Sequence, residues 1–477
     1  MTFKHSRLLL VFIIFFGFIL RYQAAVSIPI VWDEKNHDFP VAEDISLNIK
    51  KLNIPLVGED KTTPITFRYI IYFGWKVFGK TLLGARLPFV ILGTSIILLV
   101  YLFTKITFGV KTALLASFLT SISQYCIGIS RTADLNVTTQ FIFILSLFLF
   151  YKAMKNADKN LILFNGLVMG VGFWFRENIF FLIPIYVIFL LSCPKYRSWL
   201  KDKYLWISFI ISFILASPLL YLMLDERVKY FHEKAIIGFS LNAVSLYLGE
   251  LFLLSIKPFS EFFKQVAASL DMSYPPANFV FGIIILIAVV KSIKRKQPFV
   301  RLFLVSFLFN FIVFSFIRRN DDVHAFWNLG SLNWSDLAFL PGIILASDML
   351  MNFLKKRTLR RKILFWFLMI FICIRTYSFV KFPLSAFFPV KDFLIVAHQY
   401  DAECAFEEGN IDEAKDVFKR IYRITDEGSV RKKNAALKLS EILIKEGNYK
   451  EAAKYLYYLA LQHPNDDDIQ EVLEQPK

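Results

Sequence analysis

The chain has 477 residues, of which 56% are hydrophobic, with a mean hydropathy of +0.51 and a formal net charge of +16. Soluble globular domains are about 45–50% apolar, so an ordinary soluble protein is excluded. The charge invites a nucleic-acid reading, but the basic residues sit in short clusters between hydrophobic runs, where the positive-inside rule puts them. Nucleic acid is therefore not expected as a partner.

Apolar runs of roughly 15–22 residues recur along the chain, the length a helix needs to cross the hydrocarbon core. With no water to satisfy backbone groups there, such runs must be helical. The pattern predicts about eleven spans: 8–27, 87–105, 112–130, 136–152, 161–175, 178–193, 204–224, 277–291, 299–317, 336–354 and 363–381. The first reads as an uncleaved span, because Arg21 follows its apolar core and no small-x-small cleavage site comes next. The stretch 161–193 is read as two spans, since a charged pair at Arg176-Glu177 would be costly in mid-membrane.

The basic clusters set the orientation. Lys4 and Arg7, Lys105 and Lys111, the lysines from Lys152 to Lys159, and the clusters at 195–203, 291–296 and 355–362 all fall on one side when there are eleven spans. The N-terminus is expected in the cytoplasm and the C-terminus outside, in a multi-pass protein of the cell (inner) membrane. The long outward segments are then 28–86 and 225–277. Four scattered cysteines, Cys126, Cys193, Cys373 and Cys404, form neither a disulfide framework nor a metal-ligand spacing.

Residues 1–382 thus make a membrane domain and 383–477 a different kind of sequence, charged, Ala-rich and helically periodic. The tail contains an echo: Glu408-Gly409-Asn410-Ile411-Asp412-Glu413-Ala414 returns as Glu446-Gly447-Asn448-Tyr449-Lys450-Glu451-Ala452, 38 residues later. Gly-Asn ends one helix and the acidic residues open the next. This helix–turn–helix pattern, with Pro464 closing the second unit, reads as two tetratricopeptide-like repeats. Two repeats bury little core, so residues 387–406 are expected to add packing helices, or the membrane domain to cap them. The fold class expected is all-α: a polytopic helical membrane domain with a helical repeat tail.

The residues richest in chemistry follow the first span: Val31-Trp32-Asp33-Glu34, then Thr63-Pro64-Ile65-Thr66, an aromatic stretch Tyr69–Phe78 ending in Gly79, and Arg86-Leu87-Pro88. Adjacent carboxylates on their own are an ordinary solvated loop. Asp321, Asp322 and His324 in a later loop, and His232, have no complete ligand set and read as solvated; Trp327 and Trp334 read as interfacial aromatics.

In its order — Arg, Trp-Asp-Glu, a Pro-containing turn, aromatic-Gly, Arg-Leu-Pro — the region resembles the glycosyltransferase 39 and aminoarabinose-transferase-like families of the GT-C superfamily, to which protein O-mannosyltransferases belong. The resemblance is good over about 10–195, rests on span rhythm to about 380, and leaves out the tail. It implies an inverting transfer of a sugar from a polyprenyl-phosphate donor to a lipid, glycan or protein acceptor on the outer face. By position Asp33 is the catalytic base, and Glu34 orients the acceptor or contacts a metal where one is used. No cofactor is obligatory, and a divalent metal is compatible. A hydroxyl acceptor must lose a proton as it attacks, which a positioned carboxylate can accept. The leaving phosphate needs cations, for which arginine is suited. The outward candidates are Arg86 and Arg131, which fit family-like positions, then Arg68 and Arg176; the last departs from the lysine expected there. Trp32 is placed for sugar or prenyl contact. Two other readings stay open: an O-antigen ligase or polymerase, which would place its key Arg and His residues in the late outward loop, and a non-catalytic membrane scaffold presenting repeats to a protein partner. Transport is disfavoured, since no charged series or paired broken helices are seen in the spans.

Overall fold

The computed structural model describes residues 3–28, 34, 38–50, 66–237, 279–319, 336–355, 358–381, 406, 410–424 and 430–462. The chain divides into two compact units, Met1–Pro383 and Leu384–Lys477.

The first unit is built from helices α1 (Phe3–Ser27), α2 (Phe39–Lys50), α3 (Thr66–Phe78), α4 (Leu82–Phe108), α5 (Val110–Ile122), α6 (Gln124–Gly128), α7 (Leu135–Asn156), α8 (Lys159–Phe173), α9 (Leu182–Ser192), α10 (Lys203–Lys234), α11 (Phe279–Ile293), α12 (Pro298–Phe316), α13 (Phe339–Lys355) and α14 (Leu359–Lys381). Each predicted span falls on one or two of these. By length and composition alone, four stretches are long and apolar enough to cross a membrane among the described residues: His5–Ser27, Leu82–Phe108, Leu135–Asn156 and Lys203–Leu222. Side-chain caps fix several starts. Thr81 accepts from the Gly84 amide at 3.0 Å, and Asp158 from Leu161 at 3.0 Å.

Two local features depart from the sequence reading, the division of one span and a strand pair, while an expected break takes a specific form. The span expected over 112–130 is two helices, α5 and α6, meeting at Ser123. The break at Arg176-Glu177 is a short 3₁₀ turn, Glu177–Phe181, that leads into α9. Helix α10 runs to Lys234 and hands over to strand β1 (Ala235–Ile237), which pairs antiparallel with β2 (Ile317–Arg319), Ala235 opposite Arg319. The expectation of helices alone did not include that strand pair.

Helix α4 packs against α1, α3, α5 and α7, and α8 lies along α10. Many large apolar side chains point away from the unit: Leu8, Val11, Phe12 and Phe15 on α1, Trp366, Phe367 and Ile370 on α14, and Phe164, Leu167 and Val171 on α8. That outward apolar surface suits a lipid solvent. Between helices, polar groups hold positions that apolar contact cannot specify when lipid is equally apolar. The Ser146 hydroxyl (α7) donates to Asn165 Oδ1 (α8) at 2.7 Å and lies 2.7 Å from the Tyr186 hydroxyl (α9), whose ring stacks on Phe150.

In the second unit, α15 (Ile411–Ile424), α16 (Val430–Lys445) and α17 (Tyr449–Gln462) pack around Phe418, Ile421, Leu439, Leu443 and Leu459. The Glu-Gly-Asn motif has a local physical meaning. Gly447 has φ +75°, its amide donates to Ile444 O at 3.0 Å, and the Asn448 amide donates to Leu443 O at 2.8 Å, closing α16 with the paired bonds of a Schellman end. Asn448 then caps α17, its side-chain oxygen accepting from the Glu451 amide at 3.3 Å and its side-chain amide donating to Glu451 Oε2 at 3.1 Å. Lys419 pairs with Glu451 at 2.9 Å, tying α15 to α17. Of the packing segment expected at 387–406, all but Phe406 lies outside the described residues; Phe406 packs against the core of this unit.

The shared Ser146 hydroxyl predicts an order of effects in thermal or denaturant melts of the purified protein. Tyr186→Phe should cost about 0.6–1 kcal/mol, the scale of interhelical hydrogen bonds in membranes, because Ser146 keeps Asn165. Ser146→Ala should cost more, because it breaks both 2.7 Å bonds and leaves Asn165 and Tyr186 only the longer bond between them at 3.4 Å. Equal effects would show that the three groups do not act as one cluster.

Candidate active site

The first loop starts where α1 ends, and the end of a helix exposes carbonyls that lack intrahelical donors. Arg86, in the second turn of α4, supplies them. Its Nη1 donates to Ala25 O and Ile28 O, both at 2.7 Å. The rest of the guanidinium faces Glu34: Nε donates to Oε1 at 2.8 Å and Nη2 to Oε2 at 2.5 Å. Glu34 Oε1 also accepts from the Ala133 amide at 2.8 Å. Arg86 and Glu34 are both essentially without solvent contact. One carboxylate therefore joins α4, the first loop and the turn before α7, while the arginine holds the end of α1.

The turn carries Arg131. Its backbone is set by Arg131 N donating to Gly128 O at 3.3 Å and Asp134 N to Thr132 O at 3.0 Å. Asp134 then caps α7, Oδ1 accepting from the Asn136 amide at 3.0 Å. The Arg131 guanidinium is buried. Burial lowers it from its ordinary value to about 9; the Arg86 cation adds to that shift and the Glu34 carboxylate opposes it. Arg131 is thus a desolvated cation in the field of the Arg86–Glu34 pair.

Arg176 stands at the N-cap position of the 3₁₀ turn without a side-chain capping bond, and its Nη1 donates to Asn136 Oδ1. Gln140, one turn further along α7, donates to the Tyr125 hydroxyl of α6 at 2.8 Å. Arg68 on α3 is bonded elsewhere, to Asp38 Oδ1 at 3.0 Å.

Of the residues expected at the site, Glu34, Arg86 and Arg131 come together, Arg176 joins them through the start of α7, and Arg68 forms a separate ion pair. Asp33 and Trp32 lie outside the described residues, as do Asp321, Asp322, His324, Trp327 and Trp334. Glu34, expected to orient the acceptor or contact a metal, and Arg86, expected to bind phosphate, are bonded to each other, because a carboxylate and a guanidinium withdrawn from water gain most from a bidentate pair. Asp38, Asn136 and the Ala133 amide were missed. Asp38 carried a weak signal as a carboxylate in the same loop; the other two are placed by tertiary contact alone. Among the described residues no three His, Cys, Asp or Glu side chains gather as metal ligands would.

Residues 62–222 match the family described as dolichyl-phosphate-mannose-protein mannosyltransferase, and residues 405–475 match the tetratricopeptide repeat. The Bacillus subtilis protein YkcB, provisionally named a mannosyltransferase, is 28% identical over 129 residues, 27% of this chain and 18% of that one. The chain spans half or less of the length of the curated relatives it matches. Among solved structures, ArnT from Cupriavidus metallidurans bound to undecaprenyl phosphate aligns with a TM-score of 0.50 at 12% identity, over 99% of this chain and 78% of that one. The archaeal oligosaccharyltransferase AglB from Archaeoglobus fulgidus, in complex with an inhibitory peptide and a dolichol-phosphate, aligns at 0.51 and 14%, over 87% and 60%. The chain has the GT-C fold. Part of its membrane unit matches the mannosyltransferase family model, and its tail matches the tetratricopeptide repeat.

In this GT-C fold the buried pair makes a prediction about stability alone. Glu34→Ala leaves the Arg86 guanidinium buried opposite nothing and should cost about 3–5 kcal/mol. The double change Glu34→Leu with Arg86→Met removes both charges and should recover a large part of that loss in thermal melts. A double variant no more stable than the single one would show that the carbonyl and amide bonds, rather than the ion pair, carry the stabilisation.

Proposed function

We propose that this GT-C protein is an inverting glycosyltransferase that moves a sugar from a polyprenyl-phosphate donor to a lipid, glycan or protein acceptor on the outer face of the cell (inner) membrane. The observation that carries the reading is a concentration of buried guanidinium groups at one end of the helical bundle. Arg86, Arg131 and Arg176 are each less than a tenth exposed, and Glu34 is the carboxylate bonded into the group. Desolvated cations held in place by the fold gain from a phosphate that brings its own charge and several acceptor oxygens. ArnT and AglB, the two proteins of like fold, are described with undecaprenyl phosphate and dolichol-phosphate, which supports a lipid phosphate as the anion here.

In this reading the acids of the first loop divide their work. Asp33 takes the proton from the acceptor hydroxyl as its oxygen attacks the anomeric carbon. The bond from that carbon to the phosphate oxygen breaks, and polyprenyl phosphate leaves. Glu34, bonded to Arg86 and the Ala133 amide, keeps the loop in place and from there orients the acceptor. Arg86 is the other half of that clamp, so the phosphate falls to Arg131 and Arg176, with Arg68 a secondary candidate. Positive charge fixed before reaction favours charge that grows on the leaving phosphate, without reorganisation at the moment of transfer.

The test is transfer from an undecaprenyl-phosphate-linked sugar by the purified protein in lipid. Asp33→Asn should reduce turnover by about 10²–10⁴-fold, the usual scale for a positioned acid or base. Arg131→Ala and Arg176→Ala should raise the donor KM and lower kcat, with the folded fraction unchanged. Near-normal turnover in Asp33→Asn removes that residue from the chemistry, and unchanged donor kinetics in both arginine variants moves the phosphate site elsewhere.

The tail is proposed to lie outside and to hold an acceptor or an assembly partner, as helical repeats do with peptides and proteins, raising its local concentration. A chain ending at Pro383 should still transfer to a small soluble acceptor and should lose transfer to its native one. A stable truncation inactive toward every acceptor would assign the tail to the active site itself. A reporter fused after Gln462 that works only in the cytoplasm would reverse the orientation.

A further inference from the structure

Arg21 has no part in the chemistry proposed above, yet it is buried completely and lies within the first span. An arginine is kept at such depth only where it has work to do. Its partners show what that work is. Nη1 donates to Ser121 O at 3.2 Å and to Gly17 O at 3.0 Å, and Nη2 donates to Thr120 O at 3.1 Å. Thr120 and Ser121 are the penultimate carbonyls of α5, which stops at Ile122 although the apolar sequence runs on. The last of these carbonyls, Ile122 O, accepts from the Thr376 hydroxyl of α14 at 2.6 Å.

The end of α5 is thus capped by side chains from two other helices. A helix cut short inside a membrane leaves carbonyls that neither water nor its own turn can satisfy, and each unsatisfied group is costly. A guanidinium serves two of them at once, and its charge lies at the negative end of the helix. Ser123 then opens the next element: its hydroxyl accepts from the Cys126 amide at 3.2 Å and α6 begins in a new direction. From α6 the chain passes into the turn that carries Arg131 and the Ala133 amide bonded to Glu34.

A second contact ties Arg21 to that turn. A Cβ built on Gly93 of α4 would lie 2.4 Å from Ser130 Cβ and 3.2 Å from Arg21 Nε. Residue 130, next to Arg131, therefore packs on bare backbone, with Arg21 beside it.

We infer that Arg21 is a positioning residue: by capping the end of α5 it holds the break at Ser123 and so fixes the 128–134 turn against Glu34. The inference about the break rests on geometry alone; its consequence for turnover rests on the glycosyltransferase reading. The experiment compares full-length wild type, Arg21→Lys, Arg21→Met and Thr376→Val by hydrogen–deuterium exchange in lipid nanodiscs, followed by donor turnover. Arg21→Met should raise exchange at least tenfold in peptides covering 123–134 and leave α7 beyond Gln140 as protected as in wild type. Turnover should fall by about 10²-fold, the cost of a misplaced reacting group. Arg21→Lys, which still reaches a carbonyl with a charged donor, should recover most of both. Thr376→Val, which uncaps only Ile122, should raise exchange in the same peptides by less.

Unchanged exchange at 123–134 in Arg21→Met overturns the inference, as does raised exchange with normal turnover. Uniform loosening of every helix would make Arg21 a general stabiliser and overturns it too. If Arg21→Met fails to fold, Thr376→Val decides: a rise confined to 123–134 supports the cap, and no rise there overturns it. If wild type itself transfers no sugar from the lipid-linked donor, the glycosyltransferase reading falls, and the exchange measurements still decide whether Arg21 holds the break.

Discussion

A carboxylate and a guanidinium that have both left water are the constraint on which the site depends. Glu34 and Arg86 could not be buried singly, since an unpaired charge in a low-dielectric interior costs several kcal/mol. Together they are satisfied by each other and by groups that would otherwise be orphaned: the carbonyls of Ala25 and Ile28, and the amide of Ala133. The end of α1, the start of α4, the first loop and the turn before α7 then have one arrangement in which every partner is met. Pairs of this kind are weak evidence for net stability and better evidence for uniqueness. Here the uniqueness concerns where Glu34 itself is held.

The same accounting governs the rest of that end of the bundle. Helices that stop short in a membrane need donors for their last carbonyls, and in this chain the donors are themselves the buried arginines and threonines. Arg86 closes α1, Arg21 and Thr376 close α5, and Asp134 opens α7. Irregular backbone at membrane depth is tolerated where protein lines it. Arg131 and Arg176, the cations proposed to receive a phosphate, are a different set from the arginines that close these helices.

How much of this was legible beforehand follows from the range of each interaction. The spans could be read because apolar length is a local property, and the Glu-Gly-Asn motif because a Schellman end and a capping box are made within six residues. The acid pair after the first span was visible, and so was the break at Arg176-Glu177. The break at Ser123 was not, since Thr-Ser-Ile-Ser-Gln contains no proline or glycine and the donors that permit it lie on α1 and α14. The partnership of Glu34 with Arg86 joins residues 52 apart in sequence, which no spacing rule reaches, so both were read as ligands in waiting. Strands β1 and β2 are three residues each and lie at the ends of apolar helices, too short for an alternating pattern to register.

Helix α8 has 15 residues, about 22 Å of rise, and it shows Phe164, Leu167 and Val171 to the surroundings. A bilayer's hydrocarbon layer is about 30 Å thick, whereas α4 and α7 are long enough to match it. A helix that is both short and lipid-facing creates a negative mismatch along one flank, which a fluid membrane relieves by thinning locally at a modest cost per ångström. Thinning beside α8 would draw headgroups toward the level of Arg176, which follows the helix by three residues. A phosphate carried on a long prenyl chain would then have a shorter climb to the buried cations on this flank than beside α4 or α7.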